Sequence, residues 1–221
     1  MLKDEQMAGR EWMPGLRFYN ASLSRGACSS GLPEEHRCQS KGFSLVELTV
    51  VVSITAILLA TAVPAFTGLM ARNELVVATN AARGALMLAR ETAVLKGQPV
   101  SLCAGTPTSG CSGDWSGGQW LVFRDSNHSG DLDAGETVLE HGAVPGTAQG
   151  VVTIGGNGPL RSALVYMPLG HAERVSGAFA AGRLRLCVAK DVAPNARELV
   201  ISASGRVRLA RVDFGGTCPS L

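Results

Sequence analysis

The strongest constraint on the fold is an apolar run in the first third of the chain. From Leu48 to Ala71 there are 24 consecutive residues without a charged side chain. About 20 apolar residues span a bilayer as a helix, whereas the apolar core of a secretory signal peptide is usually only about 7–15 residues long. The run therefore predicts a membrane-spanning helix, and a chain of 221 residues leaves room for one ordinary domain beside it.

The helical pattern continues beyond the apolar run. Small and apolar residues recur at spacings of three and four, and arginines fall between them. This pattern predicts a buried stripe formed by Leu75, Thr79, Ala82, Leu86, Ala89 and Ala93. We therefore expect one helix from about Phe43 to about Lys96, of which the first half lies in lipid and the second half is amphipathic.

Glycine and proline residues mark two positions of this helix. Gly97 and Pro99 follow its expected end and predict a helix stop. Pro64 lies inside the apolar run, and proline removes one helical hydrogen bond. We therefore expect a helix break or bend near Pro64.

After residue 99 the pattern changes from helical to strand-like, with Gly, Pro, Asn and Ser between short apolar segments. The predicted strands are Val100–Ala104, Gln119–Arg124, Thr137–Glu140, Val151–Ile154, Leu164–Met167, Arg183–Ala189, Glu198–Ala203 and Arg206–Val212. One long helix followed by strands predicts an α+β fold in which the helix packs on an antiparallel β-sheet.

Glu47 is an acid near the start of the apolar run, where a carboxylate facing lipid is unfavourable. The surrounding residues, Lys41-Gly42-Phe43-Ser44-Leu45-Val46-Glu47, resemble the type III signal of type IV pilins and type II secretion pseudopilins. The resemblance implies that a prepilin peptidase cuts between Gly42 and Phe43 and that the new amino group of Phe43 is N-methylated. It also gives Glu47 a partner, because in a filament its carboxylate can pair with the Phe43 ammonium of a neighbouring subunit.

The same resemblance divides the chain into four segments and implies the pilin fold. Residues 1–42 are a removed leader, which is long for this family, and residues 43–71 form the transmembrane part of the helix. Residues 72–98 continue the helix as an amphipathic segment, and residues 99–221 form a periplasmic β-rich domain. We expect a single-pass inner-membrane protein that contacts lipid and is incorporated into a filament of pilins or pseudopilins.

A second resemblance lies in the domain, between Trp115 and Gly142. This stretch is similar to the Trp-x-x-Gly-x-x-Val-Phe-x-Asp-x-Asn hairpin of the GspH/FimT branch of pilins and pseudopilins. The two resemblances together predict a minor pilin or pseudopilin. They do not distinguish a type II secretion pseudopilus from a type IV pilus.

The same hairpin has the ligand spacing of a 12-residue calcium loop. Oxygen-bearing side chains occur at the required positions, namely Asp125, Asn127, Ser129, Asp131, Asp133 and Glu136. Strands rather than helices are expected on both sides of it, so the alternative is a hairpin tip whose side chains cap their own backbone. Calcium is the one cofactor that the sequence suggests.

The six cysteines fall into two sets, one on each side of the apolar run. Cys28 and Cys38 precede the run, and with His36 they form at most a weak metal motif. The other four lie in the expected periplasmic domain, where disulfides can form. Three connectivities are possible, and nearness favours Cys103–Cys111, which leaves Cys187–Cys218.

Arginines alternate along the strands near the C-terminus, where basic residues outnumber acids by nine to four from Arg161 onward. We expect neighbouring strands to merge Arg183, Arg185, Arg197, Arg206, Arg208 and Arg211 into one patch, with Val207 and Leu209 facing inward. Such a patch can bind duplex DNA through its phosphates, without sequence preference. Gly205-Arg206-Val207-Arg208 also resembles the Gly-Arg-x-Arg motif of FimT-type minor pilins, which bind DNA in natural transformation. The alternative is a solvated strand face.

Catalysis is not indicated. His128, His141 and His171 have no nucleophile motif around them, and the glycines at 155–158 lack the strand–helix context of a phosphate loop. We expect a protein that works by assembly rather than as an enzyme.

Overall fold

The computed structural model describes residues 42–221. The expected leader, with Cys28, His36 and Cys38, lies outside the described residues except for Gly42 at its end. The helix, α1, runs from Leu45 to Lys96 without interruption. One long helix spanning both an apolar and an amphipathic segment is the arrangement that the sequence predicts.

The helix is not broken at Pro64, and the expected bend near this residue stays a prediction. The helix is continuous through this residue. Proline leaves only one carbonyl of the preceding turn without its backbone donor, and the hydrogen bonds of the flanking turns remain. A proline therefore need not interrupt a helix that continues for several turns on both sides.

The second half of α1 is the part built into the domain. All six residues of the predicted stripe are buried, together with Ala71, Ala78 and Ala85. Gly97 then adopts a positive φ of 63°, and the N–H of Gln98 donates to the carbonyl of Ala93 at 3.3 Å, which caps the last turn. The predicted stripe and the predicted helix stop are both confirmed.

The strands form two antiparallel sheets rather than the single sheet expected. The first sheet contains β1 (Val100–Thr106), β2 (Gly110–Cys111), β3 (Gln119–Arg124), β4 (Val138–Ala143), β6 (Ala163–Tyr166) and β7 (Ala172–Glu173), in the order β4-β3-β1-β6-β7 with β2 paired to β1. The second contains β5 (Thr153–Gly156), β8 (Gly182–Cys187), β9 (Ala196–Ile201) and β10 (Val207–Val212), in the order β10-β9-β8-β5. A short 3-10 turn, Gly158–Arg161, separates β5 from β6.

Both sheets pack against α1. The helix contacts β1, β3 and β6 of the first sheet and β8, β9 and β10 of the second. One continuous core results, in which Leu75 and Leu86 of the helix pack with Leu102 and Tyr166 of the first sheet and Leu199 of the second. The expected α+β class is confirmed, and the correction concerns only the number of sheets.

A smaller apolar cluster lies outside this core. Its buried members are Cys103, Leu121, Phe123 and Ala163, and Leu132 packs on them from the loop between β3 and β4. Cys103 and Cys111 form a disulfide, here called the loop disulfide, and Cys187 and Cys218 form a second, here called the tail disulfide. The structure therefore has the pairing that nearness in the sequence favours.

Candidate functional site

The residues expected to carry processing and assembly lie at the amino end of α1. Gly42 and Phe43 precede the helix, and Glu47 lies in its first turn. A carboxylate at this end interacts favourably with the partial positive charge of the helix N-terminus. Glu47 is exposed and forms no ion pair with any residue in the range 42–221. Cleavage at Gly42, methylation of Phe43 and the role of Glu47 stay predictions.

The first half of α1 is apolar and outside the folded core. Between Leu45 and Met70 no residue is buried, and the helix is long and apolar enough to cross a membrane. Its five hydroxyl groups donate to backbone carbonyls three or four residues earlier, at 2.7–3.0 Å. These hydroxyls belong to Thr49, Ser53, Thr55, Thr61 and Thr67. Because each donor is satisfied within the helix, the side chains bring no unsatisfied hydroxyl donor into the apolar part of a bilayer.

The residues of the calcium prediction lie in the loop between β3 and β4. Asp125 is fully buried, and its carboxylate accepts three hydrogen bonds. These come from the hydroxyl of Ser101 at 2.6 Å, the N–H of Ser129 at 3.0 Å and the N–H of Gly130 at 2.9 Å. Asp125 therefore fastens the start of the loop to β1 and shapes its turn.

The other acids of this loop are also bound within it. The carboxylate of Asp133 accepts from the amide of Asn127 at 2.9 Å and the hydroxyl of Ser129 at 2.7 Å, and these two hydrogen bonds, in that order, lower the pKa of Asp133. Glu136 accepts from the N–H groups of Ser126 at 2.8 Å and Asp133 at 3.3 Å. Among the described residues, no three His, Cys, Asp or Glu side chains are grouped to hold a metal ion. The geometry is that of a self-capped hairpin tip, and calcium binding stays a prediction.

The six arginines do not form one patch. Arg197 on β9 is paired with Leu186 on β8 and with Arg211 on β10. Directly paired residues share a face of a sheet, and Leu186 is buried in the core with α1. Arg197 and Arg211 therefore lie on the face of the second sheet that is turned toward the helix.

The remaining arginines lie on the opposite side of the second sheet, here called the outer face. Arg183 and Arg208 are both paired with Val200, and Arg185 is paired with Glu198. The expected merger fails because side chains alternate between the two faces along a strand. Arg211 lies three residues after Arg208 on β10, and Arg197 lies one residue before Glu198 on β9, so both point to the other face. Arg206 precedes β10 and is exposed.

Glu198 is a residue of this site that the sequence patterns did not single out. It is buried, and its Oε1 lies 2.8 Å from Nε and 2.7 Å from Nη2 of Arg185. Its Oε2 lies 3.6 Å from Nη1 of Arg183. Arg185 also lies 4.6 Å over the ring of Phe214, so its charge is already neutralised and covered. The signal in the sequence was a single acid, Glu198, on the strand that follows the one carrying Arg183 and Arg185.

Comparison with known proteins gives two matches to protein-family models. The model described as type II transport protein GspH matches residues 78–205, and the model of the prokaryotic N-terminal methylation motif matches residues 37–63. No curated protein gives a significant sequence match.

Solved structures with some similarity include two crystal forms of the type IV minor pilin FimU from Pseudomonas aeruginosa. They have 20% and 18% sequence identity, TM-scores of 0.46 and 0.42, and cover 63% and 60% of this chain and 90% of each FimU chain. The minor pseudopilin EpsH from the type 2 secretion system of Vibrio cholerae has 13% identity and a TM-score of 0.42, covering 62% of this chain and 97% of that one.

The GspH model covers more than half of the sequence and includes most of α1 outside the apolar segment together with β1 to β9. The methylation-motif match covers the expected cleavage site and most of the apolar run. Family membership also supports a structural subunit rather than an enzyme. The chain therefore belongs to the GspH family of pilin-like proteins and carries the N-terminal methylation motif of prepilins.

Proposed function

We propose that this protein is a minor structural subunit of a type II secretion pseudopilus or a type IV pilus. In this proposal α1 anchors it in the inner membrane with the β-rich domain on the periplasmic side. Prepilin peptidase cuts after Gly42, and the mature chain enters the filament with Phe43 as its methylated first residue. Other pilins or pseudopilins of the filament are its partners.

The observation that carries the proposal is the division of α1 into two unlike halves. One half is fixed in the core of the domain, while the other half exposes apolar side chains along its whole length. Such a surface needs lipid or neighbouring apolar helices around it. Glu47 at its start then needs a positive partner when the helix leaves the lipid headgroups, and the Phe43 ammonium of a neighbour supplies one.

The two disulfides support the periplasmic placement of the domain. Disulfides persist in oxidising compartments such as the bacterial periplasm and are rare in the cytosol. Both disulfides lie beyond α1, on the side of the helix opposite to the cleavage site. This arrangement agrees with an amino end on the cytoplasmic side.

Replacement of Glu47 tests the assembly step. We expect Glu47→Val to insert in the membrane and to be cleaved normally, but to be lost from the sheared filament fraction because the charge pair cannot form. The matched control is Glu91→Val, which removes an exposed acid from the domain half of the same helix and should assemble as the unmodified protein does. Normal incorporation of Glu47→Val would refute the pairing, and the mass of the amino-terminal peptide would report cleavage and methylation.

DNA uptake through the outer face is the second candidate, and one observation favours it. Arg206 and Arg208 are exposed, and Arg208 shares the outer face with Arg183, whose side chain is 54% exposed. These three charges are fewer than the six expected to act together, so any affinity for phosphates is correspondingly weaker.

An electrophoretic shift of duplex DNA by the full chain in detergent tests this candidate. Replacing Arg206 and Arg208 by glutamine should abolish the shift, while the same change at Arg197 and Arg211 should not. An equal effect of both pairs would refute the assignment to the outer face, because only net charge would then matter.

A further inference from the structure

A second group of arginines lies where the domain meets the membrane segment. Arg72 of α1, Arg197 of β9 and Arg211 of β10 line an open cavity of about 190 Å³ together with Leu75 and Pro194. None of the three arginines forms an ion pair with a described residue. Three cations therefore face one small space with no described carboxylate to balance them.

The arrangement of two of these arginines is unfavourable without a bound anion. Arg197 and Arg211 are direct cross-strand partners, and like charges placed opposite each other repel. Burial and then the charge of Arg211 lower the pKa of Arg197. The Nε of Arg197 is also buried and has no hydrogen-bond partner among the described residues. An anion in the cavity would relieve the repulsion and accept from this donor.

The position of the cavity along α1 places it at a membrane surface. Twenty residues from Leu48 rise about 30 Å and reach Thr67, which is the thickness of the hydrocarbon core. Arg72 lies five residues farther, or about 7.5 Å, which falls in a headgroup layer about 5–8 Å thick.

A contact in the domain supports the same depth. A Cβ atom added at Gly68 would lie 3.5 Å from Cγ1 of Val192. The loop that carries Val192 and Pro194 therefore lies against α1 at the end of its apolar half. Pro194 is one wall of the cavity. The domain therefore brings its own arginines down to the level at which lipid headgroups begin.

We propose that this cavity binds the phosphate of an anionic phospholipid headgroup. One guanidinium group can donate two parallel hydrogen bonds to a phosphate. Three guanidinium groups therefore suit a phosphate, which offers several acceptor oxygens. Leu75 and Pro194 give the cavity an apolar wall, which suits the glycerol backbone of the same lipid. A headgroup is favoured over an acid of a neighbouring subunit because of the depth of Arg72. The site goes beyond the proposed function, since it concerns the subunit while it resides in the membrane.

Native mass spectrometry of the full chain in mild detergent tests the site. The protein is mixed with equal amounts of phosphatidylglycerol and phosphatidylcholine, and the retained lipid is counted. Each basic residue near an anionic surface contributes about fivefold in affinity, so we expect a preference of about tenfold or more for phosphatidylglycerol. Arg197→Gln combined with Arg211→Gln should reduce the preference to near unity.

The matched control is Arg206→Gln combined with Arg208→Gln, which removes the same charge from exposed positions, with Arg208 on the outer face of the strand that carries Arg211. This variant should retain the preference, and its loss there would overturn the site in favour of bulk charge. If the cavity variant fails to fold, Arg72→Gln takes its place, because Arg72 is exposed on the helix. An unmodified protein without preference for phosphatidylglycerol would also overturn the proposal.

Inorganic phosphate separates the two sources of the anion. We expect phosphate at the lipid concentration to leave the bound phosphatidylglycerol in place, because it lacks the apolar part that contacts Leu75 and Pro194. Complete displacement would overturn the lipid assignment. Filament assembly of the cavity variant is read separately, so a failure of the lipid site leaves the test of Glu47 unaffected.

Discussion

Asp125 offers the sharpest test of what the loop between β3 and β4 does. Asp125→Ala removes the acceptor of three hydrogen bonds, and two of the donors, the hydroxyl of Ser101 and the N–H of Gly130, belong to buried residues. A buried donor without a partner costs about 1–3 kcal/mol. We therefore expect the variant to lose about 3–4 kcal/mol of the free energy of unfolding, a large part of the about 5–15 kcal/mol typical of a domain.

Chemical denaturation of the full chain in detergent measures this loss. The measurement is made with a calcium chelator and again with millimolar calcium, and a structural role predicts the same loss in both. The matched control is Asp133→Ala, which removes an exposed acid from the same loop and should change the unfolding midpoint little. A loss below about 1 kcal/mol would refute the structural role. A loss that appears only with calcium present would instead assign the loop to the metal.

Three further predictions concern the domain. Glu198→Gln should destabilise it by about 3 kcal/mol in denaturant unfolding, because Arg185 would keep a largely buried charge without its counter-ion; a change under about 0.5 kcal/mol would contradict the pairing. Replacing both cysteines of the tail disulfide by alanine should cost about 3.7 kcal/mol of stability, and the same change at the loop disulfide about 2.5 kcal/mol. The tail disulfide costs more because it closes a loop of 31 residues, whereas the loop disulfide closes one of 8. The reverse order in thermal unfolding would contradict loop entropy as the cause. Tyr166→Phe should leave stability unchanged or raise it by about 1 kcal/mol, because its buried hydroxyl has no described partner. Burial raises the pKa of Tyr166 above its usual value of 10.0, so above about pH 10 the unfolded chain ionises first and the stability of the unmodified protein should fall. Titration of the Phe variant should lack this fall.

The helix and its buried stripe could be predicted because they depend on local pattern. Spacings of three and four place Leu75, Thr79 and Leu86 on one side of any helix, whatever packs against it. The stop at Gly97 likewise depends on the conformation of one residue. The strands were predicted within a few residues for the same reason, and the two missed ones, β2 and β7, are only two residues long.

The division into two sheets and the separation of the arginines could not be predicted in this way. Both depend on which strands pair and in which register, and a shift of one residue moves every side chain of a strand to the other face. Arg211 is placed opposite Arg197 by the register of β9 and β10. The burial of Glu198 follows from the same register, which places it beside Arg185.

The unbroken helix has a consequence for the orientation of the whole subunit. Because α1 continues from its apolar half into the core, the rotation of the apolar half about the helix axis also fixes the rotation of both sheets about that axis. Inserting a single residue near Gly68 would turn one half by about 100° relative to the other and lift it by about 1.5 Å. The contact of Val192 with that turn would then be lost. Rotational phase, and not only length, is therefore a property that this helix must preserve for the outer face to keep a defined direction relative to the apolar half.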